Sequence, residues 1–244
     1  MTIRELKEKL LTEEKHDCTS LAELVEVLRS PEGCPWDREQ DHRSIRTDFI
    51  EETYEAVEAI DKGDTDLLKE ELGDVLLQVV FHAEIEREKG AFTMDDVTDG
   101  IVSKMIYRHP HVFGDVKVSG SSEVLENWDK LKSAEKSRNT LRSVLEAVPK
   151  QYPALIRAKK VAKKAAKAGY VFGAEDEQIA EIGKLAASLG EAENREALLT
   201  ELIFRAVVLA GADADVEKDL GDRVDSFIEQ FPEEEKEGAR NETR

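Results

Sequence analysis

In residues 21–28, LAELVEVL, the apolar positions Leu21, Leu24, Val25 and Leu28 recur at intervals of three and four, the spacing of one helix face. PEGCPWD (31–37) interrupts that pattern with two prolines and a glycine. The periodicity resumes from about Ile45 to Ile60 and stops before Lys62-Gly63. Asp64 or Thr65 can cap a third helix over 65–89, which ends at Gly90. Thr93 or Asp95 opens a fourth over 94–108, stopped by His109-Pro110. Residues 114–122, GDVKVSGSS, read as a loop or short hairpin, and 123–136 are helical again. Further helical patterns cover 153–169, 176–189, 195–210 and 214–231. No segment alternates convincingly as a strand does. The expected fold is all-α and resembles four-helix bundles.

The polar, aperiodic stretch KSAEKSRNT (132–140) predicts a boundary between a first domain, 1–135, and a second, 140–231. The tail 232–244, PEEEKEGARNETR, has the composition of a disordered segment. The two halves also carry a weak repeat. FIEETYEAVEAI (49–60) lies over QIAEIGKLAASL (178–189), and DLLKEELGDVLLQVVF (66–81) over EALLTELIFRAVVLAG (196–211). On that alignment Glu52 meets Glu181 and Glu71 meets Glu201, but Glu55 meets Lys184 and Asp74 meets Phe204.

Composition narrows the class. With 244 residues, 40% hydrophobic and 36% charged, the chain can bury a core yet offers no apolar run long enough to span a bilayer. MTIRELKEKLL lacks the apolar core of a secretory signal, and the two cysteines, Cys18 and Cys34, form no CxxC pair, so the expected location is cytoplasmic. A net charge of −19 disfavours non-specific binding of nucleic acid or anionic membrane. It leaves room for an anionic substrate wherever a divalent cation inverts the local field.

The acids themselves are patterned. Glu52 and Glu55 share a helix face, with Glu51 four residues before Glu55, and Glu71 and Asp74 share a face of the next helix. A tight GDT turn makes the two helices neighbours, so four carboxylates can converge. Between Val75 and Phe81 almost every position is apolar, leaving Glu71, Asp74 and Gln78 as the polar sector of that helix. These acids are therefore expected at the mouth of a core. Like charges gathered there need a counter-ion, and all-oxygen ligands suit magnesium, which phosphates commonly share.

EExxE, fifteen intervening residues and ExxD resemble the metal-binding signature of the all-α nucleoside triphosphate pyrophosphohydrolases. With GCPWDREQ (33–40), ELGDVLLQVVFHA (71–83) and YRHPHVFGD (107–115), the chain is similar to the MazG branch over about residues 20–132. The resemblance implies magnesium, or manganese in its place, on Glu52, Glu55, Glu71 and Asp74. It implies hydrolysis of NTPs and dNTPs to monophosphate and pyrophosphate, with water attacking the α-phosphorus. Glu51 would be a further ligand or would orient that water, beside Glu52 as a catalytic acid. Lys104 and Arg108 would meet phosphate, and Trp128 would pack near the nucleotide. Longer members resemble a tandem of two such domains, and Lys184 and Phe204 then mark the second as degenerate. The family's domains imply a homodimer.

Other features have plainer readings. Trp36 either shapes the nucleotide pocket or anchors its loop. His109 and His111 read as loop-structuring, and Cys34 as a packing residue. RAKKVAKKAAK (157–167), with five lysines and one arginine, reads as a solvated face rather than a phosphate or nucleic-acid contact. A non-catalytic regulatory or assembly protein that binds nucleotide through a relic site is the alternative from another class.

Overall fold

The computed structural model of the chain describes residues 1–134 and 140–231. The predicted tail, and most of the predicted linker, lie outside them. The chain divides into two compact units, Met1–Asp129 and a second starting at Lys130. That division falls a few residues before the stretch 132–140. Among the described residues every regular element is helical, and no helix is long and apolar enough to cross a membrane.

The first unit starts with α1 (Ile3–Thr12), an element that the apolar pattern alone passes over. Its signal is a capping box: Thr2 and Glu5 satisfy each other's backbone N–H groups. α2 (Cys18–Arg29) follows, then a single helical turn inside the proline-rich break, α3 (Pro35–Glu39), opened by Pro35 at its first position. α4 (Arg46–Lys62) and α5 (Thr65–Glu88) form a helical hairpin. Gly63 closes α4 in the left-handed conformation at φ 66°, and Asp64 caps α5 by accepting from the N–H groups of Asp66 and Leu67. α6 (Met94–Arg108), α7 (Pro110–Phe113) and α8 (Ser121–Ala134) complete the run, and 114–120 is a loop with no strand.

Small residues set the spacing of the hairpin. Ala56 and Ala59 are the buried positions of α4. The core beside it joins Val25, Ile45, Val80, Phe81 and Ile85, with Leu21, Leu76, Leu77 and Met94 packed around them. α5 is less enclosed than its apolar run predicts. Val80 and Phe81 are buried, whereas Val75, Leu76, Leu77 and Val79 are half-buried and Leu72 is exposed. The reason is that α4 and α6 leave much of their own apolar surface outward, at Ile50, Tyr54, Val57, Ile60, Ile101 and Ile106.

One side chain fastens the GCPWD loop. Arg29, almost wholly buried, makes paired contacts to Glu88 (2.8 and 2.9 Å) and donates to the carbonyls of Asp37 (2.6 Å) and Gln40 (3.0 Å). Its guanidinium also lies 5.1 Å from the centre of the Phe81 ring. The loop approaches α2 so closely that a Cβ on Gly33 would sit 2.2 Å from the carbonyl oxygens of Val27 and Leu28, so only glycine fits.

The second unit contains α9 (Leu141–Glu146), α10 (Ala154–Lys167), α11 (Glu175–Ser188), α12 (Arg195–Ala210) and α13 (Val216–Ile228). α11 packs on α12, and α10 packs on α9, α12 and α13. α10 buries Ala162 and Ala165 and turns Lys160 and Lys163 outward.

Candidate metal centre

The α4–α5 hairpin brings acids together across its interface. Oxygens of Glu52, Glu55 and Glu71 all lie within 4.8 Å of one another, and this is the one such group of possible metal ligands among the described residues. Glu52 and Glu71 are half-buried and Glu55 is exposed. Asp74 stands outside that close group. It is nevertheless half-buried on the same face of α5, and its charge acts on both Glu52 and Glu71.

No lysine or arginine among the described residues pairs with these four acids. Lys62, the cation at the turn, is taken by Glu58 at 2.5 Å. The electrostatic consequence is direct. Desolvation, then the charges of Asp74 and Glu55, hold the Glu52 carboxyl above its ordinary range. Desolvation, then Glu55 and Asp74, do the same for Glu71. Three oxygen donors at this spacing, deprived of cations, fit a hard divalent ion such as Mg2+ or Mn2+ and do not fit a soft one.

Glu51 is exposed, one position along α4 from the group. Lys104 is exposed on α6, whereas Arg108, four residues on, is buried, with its guanidinium 5.8 Å from the Trp128 ring centre. The two cations therefore stand in different environments despite their spacing. Trp36 keeps 60% of its surface exposed at the start of α3. His109 turns its Nδ1 to the Met105 carbonyl at 2.6 Å, closing the C-terminus of α6 in a structural role.

A histidine pair was not legible in the acid pattern. His42 Nδ1 lies 2.8 Å from His82 Nδ1, and His42 Nε2 lies 2.5 Å from Glu86. The rings stack at 5.0 Å, and Phe49 meets His82 edge-on at 5.6 Å. Burial lowers the pKa of His82, with the neighbouring His42 adding to the effect. The signal available in the sequence was the four-residue spacing of His82 and Glu86 on α5.

In the second unit two of the acids have cations beside them. Lys184 lies 3.7 Å from Glu181, and Arg205 bonds Glu201 at 2.7 Å.

Residues 40–113 match the description of the MazG nucleotide pyrophosphohydrolase domain. A Thermotoga maritima protein named nucleoside triphosphate pyrophosphohydrolase/pyrophosphatase MazG is 40% identical over 215 residues, which is 86% of this chain and 82% of that protein. The chain belongs to the MazG family. An Escherichia coli nucleoside triphosphate pyrophosphohydrolase is 44% identical over 151 residues, 62% of this chain and 57% of that protein. The uncharacterized Bacillus subtilis protein YabN is 51% identical over 157 residues, and the match spans 31% of its length. Within this MazG chain, both helices of the carboxylate hairpin lie inside the matched domain.

A raised carboxyl pKa means that the fold holds its proton more tightly than the unfolded chain does. The stability linked to Glu52 and Glu71 is therefore complete below the ordinary carboxylate pKa and is lost as pH rises through the raised values. At neutral pH a divalent ion bound among these acids would remove that penalty. Glu52→Gln is expected to raise the melting temperature of the metal-free protein at neutral pH and to shrink the gain from added Mg2+. If the group binds Mg2+, the gain for the unaltered protein would be about 2 to 3 kcal/mol at a hundredfold excess over Kd. Scanning calorimetry with and without Mg2+, at neutral pH and near about pH 5, checks both the sign and the pH window.

Proposed function

We propose that this chain hydrolyses nucleoside and deoxynucleoside triphosphates to the monophosphate and pyrophosphate. The observation that carries the reading is the close carboxylate group of Glu52, Glu55 and Glu71, lacking cations, in a hairpin inside the matched domain. Those three acids with Asp74 would hold Mg2+, or Mn2+ in its place. A bound divalent ion supplies charge neutralisation and a more acidic water.

The chain's own groups would do the rest. Glu51, exposed beside the group, orients a water toward the α-phosphorus. Lys104 offsets negative charge on the departing phosphates. Arg108 keeps the Trp128 ring in place, and the two together form one side of the nucleotide site. Trp36 has the free surface to cover the nucleoside. The second unit is read as a tandem copy without a competent metal site, because Lys184 and Arg205 already neutralise its remaining acids. That internal neutralisation also favours the second reading, a nucleotide-binding regulatory protein with a relic site, for that half of the chain. Net charge and two unpaired cysteines fit a cytoplasmic setting.

Product analysis separates the readings. Incubation with each NTP and dNTP should yield monophosphate and pyrophosphate with Mg2+ and nothing in EDTA, and Glu52→Gln and Asp74→Asn should each lower the rate by about a hundredfold. Turnover that survives EDTA, or that both variants retain, contradicts the enzyme reading. Absence of turnover with Mg2+ binding intact favours the regulatory one.

The homodimer belongs to the same proposal. Ile50, Tyr54, Val57, Ile60, Ile101 and Ile106 are exposed apolar side chains on α4 and α6 that a second copy would cover. Sedimentation equilibrium should return the mass of two chains, falling to one in the double variant Ile101→Glu, Ile106→Glu; a single-chain mass for the unaltered protein removes the dimer.

A further inference from the structure

The α4–α5 hairpin has a closed end and an open one. Gly63 and Asp64 join the helices at the closed end. At the other, α4 begins at Arg46 and α5 runs out to Glu88, with no short connection between them. There His42, in the turn that leads into α4, reaches across to His82 and Glu86 of α5. The turn is shaped for this. Asp41 accepts from the backbone N–H groups of Arg43 (2.7 Å) and Ser44 (2.9 Å), which fixes the chain on either side of the histidine. Phe49, in the first turn of α4, meets the His82 ring.

Two facing ring nitrogens can share only one proton. His42 Nδ1 and His82 Nδ1 stand 2.8 Å apart, so one donates and the other accepts. Glu86 is held ionised by hydrogen bonds from Lys89 and then His42, which lower its pKa. An ionised carboxylate only accepts, so His42 Nε2 carries a proton. Both rings neutral meets these terms, with His82 donating to His42. One charged ring meets them too. Two charged rings do not, because two Nδ1–H groups would then point at each other and two cations would stack at 5.0 Å.

The charges around the pair do not relieve that conflict. On α5 they are Glu86 and the Lys89 bound to it at 2.7 Å. In the turn they are Asp41 and Arg43, close enough to each other to interact, with His42 acting on Asp41 as well. α4 presents the Phe49 ring, and Arg29 of α2 is engaged by Glu88 and by the carbonyls of Asp37 and Gln40.

We propose that His42 and His82 form a proton-sensitive clasp at the open end of the hairpin, closed while at most one ring is charged and released when both are. The lowered pKa of His82, caused by burial and then by His42, has the matching sign. Its contribution to stability is complete above the ordinary histidine pKa and is lost as pH falls below it. The acids at the closed end contribute with the opposite sign, so a histidine variant, and not pH alone, identifies the clasp.

Amide hydrogen exchange of the full metal-free chain, corrected for its intrinsic dependence on pH, tests this. Between about pH 7.5 and about pH 5.5, residues 41–49 should lose protection by at least about threefold relative to α12. His42→Gln, which can still bond Glu86, should abolish that dependence, and His82→Gln should do so from the other side of the contact. In the same His42→Gln protein, the ring resonances of His82 should titrate at higher pH than in the unaltered chain. Protection that is equal at the two pH values in the unaltered chain, or a fall of the same size in both variants, overturns the clasp. So does a His82 titration that His42→Gln leaves in place.

Discussion

Mutual repulsion among carboxylates held between two helices is the constraint around which the first unit is arranged. Glu52, Glu55 and Glu71 are fixed by α4 and α5, and those helices are held by a left-handed glycine turn, an aspartate cap and the buried alanines Ala56 and Ala59. None of these anchors can relax to spread the acids without disturbing the core at Ile45, Val80 and Phe81. The charge is therefore concentrated by packing, and only a cation or a proton can offset it. Among the described residues no lysine or arginine pairs with these acids to do so.

The surroundings of the hairpin serve the same arrangement. Arg29 ties the GCPWD loop to the C-terminal end of α5 through Glu88 and two backbone carbonyls. His42 does so again through His82 and Glu86. The loop bearing Trp36 and the helix bearing Glu71 and Asp74 are thereby parts of one body. In the second unit α11 packs on α12, and the acids there have side-chain cations, Lys184 beside Glu181 and Arg205 beside Glu201.

Much of the fold was legible because helix periodicity and end signals agree with each other along the chain. Asp64, Thr93 and Gly63 mark ends that the structure also uses. α1 and the single turn α3 show no apolar stripe, and their signals are a capping box and an N-terminal proline. Spacing showed that Glu52 and Glu55, and separately Glu71 and Asp74, share faces, but it could not rank the four. Asp74 is set apart from the close group by the geometry of the hairpin. Spacing also could not foresee that Arg108 is buried over Trp128 while Lys104 is exposed, because the difference arises from which neighbour covers each turn of α6. The His42–His82 contact joins residues forty positions apart, and no local pattern announces it.

The central claim is that a divalent cation is bound by the first unit's hairpin and by no other acidic pair. Titration with Mn2+, followed by the loss of its free-ion electron paramagnetic resonance signal, tests this most directly. Glu71→Gln should weaken Mn2+ binding by at least about tenfold, while Glu181→Gln and Glu201→Gln in the second unit should leave it unchanged. Binding that survives Glu71→Gln, or that disappears in either second-unit variant, would contradict the account.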